Sequence, residues 1–253
     1  MVRAKRLTGK TPTHDESADD AAAFNTRVLD IARAVHTHGL VLFGGFHAKP
    51  SDDVPGLADG RPAASVLLVG NLGPAMWQRF SKDRGGGDNP LDDWAQAKLT
   101  AVAHAHGGEA VFPGSGPPYA PFQRWAQRAG PFHPSPLGLL IHPDFGLWHA
   151  FRGALLFADR LPLPRRDMRP SPCRDCADRP CLDACPVGAF SGTAYHVPAC
   201  TRHIAGPAGG DCIALGCRAR RACPEGRAYI YEPAQARHHM TAFLRNNRTD
   251  RPA

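Results

Sequence analysis

All eight cysteines of this 253-residue chain fall between Cys173 and Cys223. The first four read Cys173-x2-Cys176-x4-Cys181-x3-Cys185-Pro186; Cys200, Cys212, Cys217 and Cys223-Pro224 follow. Thiolates are the soft ligands that iron–sulfur clusters need, and a cubane takes four. In two-cluster ferredoxins the last cysteine of such a run ligates the other cluster. That logic places Cys173, Cys176, Cys181 and Cys223 on one [4Fe–4S] centre, and Cys185, Cys200, Cys212 and Cys217 on a second. No thiol is left over. Structural zinc is the competing reading, but it tends to use two C-x2-C pairs and one is present here. A disulfide framework requires export. The N-terminus has basic residues without an apolar stretch behind them, so it does not read as a secretory signal. The second x2 of the ferredoxin run is x4 here, and the later spacings are stretched.

The formal net charge is +7. From Arg160 onward there are 15 Lys/Arg against 8 Asp/Glu, so the whole surplus lies in the cysteine half. Two four-thiolate cubanes carry about −4 together. The arginines are therefore read as compensating clusters, and nucleic acid is not an expected partner. No apolar run reaches the roughly 20 residues that span a bilayer. A cytoplasmic protein without membrane contact is the expectation.

The elements that must position the cysteines come before them. Residues 1–23 read as a polar tail. Phe24, Val28, Ile31 and Val35 recur at helical spacing up to Gly39. Val41–Phe43 and Ser65–Val69 read as strands, the latter a continuous apolar run. Gly85–Gly87 lacks the flanks of a phosphate loop. Asn89-Pro90 opens a helix with Asn as its cap, and Leu91, Ala95, Leu99 and Val102 form its inner face. Val111-Phe112 is a further strand, Phe122–Ala129 a short helix, and Leu137–Ile141 and Gly153–Ala158 two more strands. Leu161–Pro172 is a Pro/Arg-rich linker, and Pro233–Asn246 reads as a covering helix. The expected class is α+β: a layered α/β domain over residues 24–164, then a small ferredoxin-like dicluster domain over 165–253.

Residues 137–157 contain Ile141-His142-Pro143, Phe145-Gly146, Trp148 and Arg152-Gly153. This block resembles the cobalamin-processing CblC proteins, as do Pro74-Ala75-Met76-Trp77 and the helix opening at Asn89-Pro90-Leu91-Asp92. The likeness covers roughly residues 27–164. The cysteine segment resembles the dicluster region of epoxyqueuosine reductase and the reductive dehalogenases, which set two clusters beside a cobalamin. Together the resemblances imply a flavin-reductase/nitroreductase-like fold that binds base-off cobalamin and removes its upper ligand with electrons passed through two clusters. A corrinoid would be the substrate or cofactor, with room left for FMN. The electrons would come from a low-potential donor such as a flavodoxin or a ferredoxin reductase.

By the same resemblance His142, Pro143, Phe145, Gly146, Trp148 and Arg152 form the corrinoid site, Arg152 matching the family arginine. Several positions depart. Leu147 stands where the family has a second glycine, and Gln127 is nearest to a missing histidine. The catalytic Asp of epoxyqueuosine reductase aligns near Gly116, and Pro134-Ser135-Pro136 replaces its Gly-Lys-Asn loop. These losses argue against queuosine chemistry, and no Asp-x-His-x-x-Gly motif is present. The alternatives are a ferredoxin-type electron carrier without corrinoid, or a queuosine- or dehalogenase-type reductase of an organic substrate.

Overall fold

Two long apolar stretches, each wetted on neither side, set the centre of the molecule. The computed structural model describes the backbone of residues 16–247 and the side chains of residues 26–247. Helix α1 (Glu16–Thr37) leads into strand β1 (Leu40–His47), β2 (Ser65–Leu72), α2 (Ala75–Phe80), α3 (Pro90–Ala105) and β3 (Glu109–Val111). Then come α4 (Phe122–Ala129), the two-residue strands β4 (His133–Pro134) and β5 (Leu140–Ile141), and β6 (His149–Phe157). The fold is α+β. An antiparallel four-stranded sheet in the order β1-β2-β6-β3 forms its core, with β4 and β5 paired beside it.

The continuous apolar runs of β2 and β6 follow from coverage of both sheet faces, since alternate side chains point opposite ways. Leu67, Val69, Leu155 and Phe157 pack with Val28, Ile31 and Val35 of α1 and with α2 and α3. Val66, Leu68, Ala154 and Leu156 pack with Phe122, Trp125 and Ala126 of α4. A bulge interrupts this alternation. Val69 pairs with Gly153 and Gly70 with Phe151, so Arg152 is the extra residue. Such a bulge re-aims a side chain, and here it turns Arg152 toward Asn71 and Asp92.

Three expectations change. The polar tail ends earlier, because α1 begins at Glu16; an alanine-rich start with Asp19 and Asp20 near its N-terminus favours helix. Phe24 lies among the residues whose side chains are not described. Asn89 precedes α3 as expected, but its side chain makes no capping bond; Asn89 Oδ1 accepts from Arg245 instead. Leu137–Ile141 is mostly turn, with strand at Leu140–Ile141 only, as the Pro-Ser-Pro and Gly138 around it disfavour a longer ladder.

After β6 the chain is pinned to the sheet. Leu161 N–H donates to Ser65 Oγ, and the His47 ring hydrogen-bonds Leu161 O. The cysteine segment is short helices and turns: α5 (Pro180–Asp183), α6 (Val197–Ala205), α7 (Gly210–Leu215), α8 (Arg218–Ala222) and the longer α9 (Pro233–Asn246). It docks on the Leu137–Trp148 stretch. Leu137, Ile141 and Leu147 share one apolar cluster with Cys181, Cys223 and Ala219, and Trp148 packs with Tyr231 and Ala236. Gly146 and Gly226 interlock there. Both have positive φ, and a Cβ on Gly146 would lie 2.1 Å from the Glu225 carbonyl oxygen. Among the described residues no helix is long and apolar enough to cross a membrane.

Candidate functional site

The eight thiols are all free and all at least half-buried. They surround two separate hollows. Cys173, Cys176, Cys181 and Cys223 wall one, closed by Pro136 and Ile141. Cys185, Cys200, Cys212 and Cys217 wall another, closed by Phe190 and Met240. The division has a local cause. Cys181 lies on α5 and Cys185 just beyond it; Cys217 precedes α8 and Cys223 follows it. Helices α5 and α8 pack together, and each sends one cysteine to each hollow.

Burial pushes the thiols of Cys173, Cys181, Cys200, Cys217 and Cys223 up, and neighbouring thiols in the same hollow add to the rise. Thiols gathered and buried in this way resist ionising, although Arg179 partly opposes the rise at Cys173 and Cys181; a bound positive centre would reverse it. Backbone N–H groups of Leu182, Ala219, Arg220 and Glu225 point at the sulfurs. Ala189 N–H lies 3.3 Å from Cys185 Sγ, and the Tyr195 hydroxyl hydrogen-bonds Cys200. Among the described residues no three His, Cys, Asp or Glu side chains converge on one metal ion. Four thiolate donors per hollow are the number and type that an iron–sulfur cubane takes.

Of the six residues expected to form a corrinoid site, His142 and Phe145 share one cleft while Arg152 borders others. His142 stacks on Phe145 with ring centres 4.0 Å apart, and both face a cleft of about 340 Å³ that runs along β1. Burial lowers the His142 pKa to about 4. Pro143 sits in the turn between His142 and Gly146, whose backbones bond to each other. Gly146 is used for the close approach to Glu225. Trp148 is 1% exposed, a packing residue under Arg220 and Tyr231. Arg152 is turned away by its bulge.

Arg152 instead borders two adjoining cavities between the sheet and α9. The inner one, about 350 Å³, is walled by His149, Arg152, Arg220, Tyr231, His239 and Leu147 among others. The outer one, about 630 Å³, runs between the start of α3 and α9 and shares Arg152 and His239 with it. The elements that wall the inner cavity also reach both thiol hollows. Leu147 packs with Cys181 and Cys223, while Arg220 and His239 are chain neighbours of Ala219 and Met240, which line the second hollow.

A directed chain of hydrogen bonds ends in the inner cavity. Arg152 Nε can only donate, so the Asn71 Oδ1 it reaches at 2.9 Å is an acceptor. That fixes the amide, and Asn71 Nδ2 donates to Tyr231 Oη at 2.9 Å. The Tyr231 hydroxyl proton is left to point elsewhere, and Tyr231 walls the cavity. Two further polar atoms of the same walls, His149 Nδ1 and His239 Nε2, are buried without a partner. Burial holds both histidines neutral, with pKa values of about 3 and about 2. Buried polar groups left unpaired are rare and mark a missing partner or a reactive role.

Sequence reasoning missed Tyr231, His239, Asn71 and Arg220. The His238-His239 doublet and the arginines after Cys217 were visible signals, but nothing in their spacing tied them to β6.

No family model matches the chain, and no curated protein matches it. Among solved structures it is similar to a selenomethionine-labelled epoxyqueuosine reductase, at 15% identity and a TM-score of 0.48, covering 83% of this chain and 68% of the other. Epoxyqueuosine reductase with an epoxyqueuosine-modified tRNA stem loop gives 14% and 0.47, covering 85% and 69%. The Streptococcus thermophilus enzyme gives 15% and 0.48, covering 81% and 67%.

Proposed function

We propose that this chain is an iron–sulfur oxidoreductase that reduces an organic substrate held in the inner cavity. The observation that carries the reading is the pair of four-thiol hollows built on the elements that also wall that cavity. Cys173, Cys176, Cys181 and Cys223 would hold one cluster, and Cys185, Cys200, Cys212 and Cys217 the other. When bound, such clusters supply single electrons at low potential.

The chain's own residues do the rest. Leu140, Leu147 and Tyr231 exclude water around the substrate, which strengthens every charge interaction there. Arg152 and Arg220 hold positive charge where electron density gathers as the substrate is reduced. Tyr231 Oη, polarised through Asn71 by Arg152, delivers a proton and is reprotonated from solvent. A two-electron reduction balances with two electrons, entering singly from an external low-potential donor, and two protons. The test is anaerobic reconstitution followed by metal and sulfide analysis. About eight iron and about eight sulfide per chain are expected; two zinc ions without labile sulfide would overturn the reading.

Arg152, the residue that the resemblance assigns to the corrinoid, favours a second reading of the ligand. It borders both the outer cavity of about 630 Å³ and the inner one of about 350 Å³. A macrocycle such as the corrinoid implied by the resemblance is the large ligand to test there. The corrinoid would then face Arg152 and α9 rather than His142 and Phe145. Titration with aquocobalamin, followed by its visible spectrum, decides it: a saturable base-off shift supports a corrinoid, and an unchanged spectrum removes it.

A further inference from the structure

The outer cavity differs from the inner one in its charge. Arg84, Arg152, Arg237 and Arg245 line it, opposed by Asp88 and Asp92, which leaves a surplus of two positive charges. His238 and His239 also line it and are held neutral by burial.

These arginines are poorly neutralised by the protein itself. Arg152 Nη1 approaches Asp92 Oδ1 at only 3.6 Å, although its side chain is 11% exposed. Arg245 donates to the Asp88 carbonyl oxygen and to Asn89 Oδ1, which are uncharged acceptors. Arg237 has no hydrogen bond or ion pair among the described residues, and Arg84 has only the Phe80 ring beneath it at 6.0 Å. Like charges gathered on one concave wall repel, and Asp88 and Asp92 are the only carboxylates among the described residues that line it to offset them. A second observation points the same way. His239 Nε2, on the wall shared with the inner cavity, is buried without a partner.

We infer that the outer cavity binds a phosphate group of the substrate whose reducible part lies in the inner cavity. A phosphate dianion matches the two-charge surplus, where a single carboxylate would leave half of it uncompensated. Arginine forks suit phosphate oxygens, and charge-assisted bonds of this kind are the strong ones. The Trp77 ring, 5.0 Å from the His238 ring, forms the apolar wall beside the charges. Arg152 and His239 stand at the junction, so phosphate binding would seat the rest of the molecule against Tyr231. The inference rests on the reductase reading for what the bound molecule is used for, but the anion site stands on its own residues.

The experiment is calorimetric titration of anaerobically reconstituted full-length protein with inorganic phosphate, with iron and sulfide counted on the same sample. One saturable site is expected. Arg237→Ala and Arg84→Ala, both outside the proton-delivery chain, should each weaken it about tenfold, while Arg33→Ala, outside the cavity, should leave it unchanged. Absence of saturable binding, or equal binding by all three variants, overturns the inference. Full clusters without phosphate binding defeat this inference alone. Phosphate binding with no iron or sulfide keeps the anion site and defeats the reductase reading.

Discussion

Removing the Arg220 side chain should loosen the joint between the cysteine segment and the sheet. The guanidinium lies over the Trp148 ring at 4.6 Å and the Tyr231 ring at 4.5 Å. Its Nε donates to the Leu147 carbonyl oxygen at 3.0 Å, and its Nη2 reaches the same atom. Two partly desolvated cation–π contacts contribute about 1 kcal/mol each. A hydrogen bond from a charged donor to a half-buried carbonyl adds about 1.5–3 kcal/mol. Arg220→Ala should therefore cost about 4 kcal/mol, and a chain of this size then melts about 8–16 °C lower. The assay is thermal unfolding of reconstituted protein followed by tryptophan fluorescence, with iron counted before the scan. Arg220→Lys keeps the charge but loses the planar stack and the fork, so it should recover less than half the loss. A drop of under 2 °C for Arg220→Ala would refute the view that this residue ties the two halves together.

Other outcomes follow from the same geometry. Gly146→Ala, at φ +54° with its new Cβ 2.1 Å from Glu225 O, should displace the Cys223 segment and lose iron from the hollow it walls; Gly188→Ala, at the same φ but with open space around it, should cost only about 1–2 kcal/mol and keep its iron. Burial lowers the folded-state pKa of His142 from 6.5 to about 4, of His149 to about 3 and of His239 to about 2. Their contribution is complete above the unfolded value and declines as pH falls below 6.5, by about 2 kcal/mol per histidine at pH 5; urea melts at pH 7.5 and pH 5 check this, and equal stability would contradict it. Tyr231→Phe should leave iron content and dithionite reduction unchanged while substrate turnover falls about 100-fold or more; unaltered turnover would remove Tyr231 from proton delivery.

The β-strands and the thiol grouping lay open in the sequence to different degrees. Ser65–Val69 and Phe122–Ala129 were readable because burial on two faces and a short apolar period leave direct marks. The sorting of the eight thiols into two fours rests on the ferredoxin-type crossing implied by a short run ending in Cys-Pro. The two cavities beside α9 were not readable. Arg152 reaches them through a one-residue bulge, which no local pattern announces, and Tyr231 meets Asn71 across 160 positions. The resemblance drew attention to His142 and Trp148, but stacking and close packing account for both. Long-range pairing of polar side chains is fixed by tertiary packing, and single-sequence periodicity carries no record of it.

The central claim is that two clusters are held in the crossed arrangement, and Cys185→Ser tests it most directly. Reconstituted, dithionite-reduced variant should be examined by low-temperature electron paramagnetic resonance, with iron counted in the same sample. The account predicts that the cluster of Cys200, Cys212 and Cys217 is lost or altered. The remaining signal should then vanish on adding Cys176→Ser and persist on adding Cys200→Ser. Damage confined to the cluster of Cys173, Cys176 and Cys181 would contradict the account.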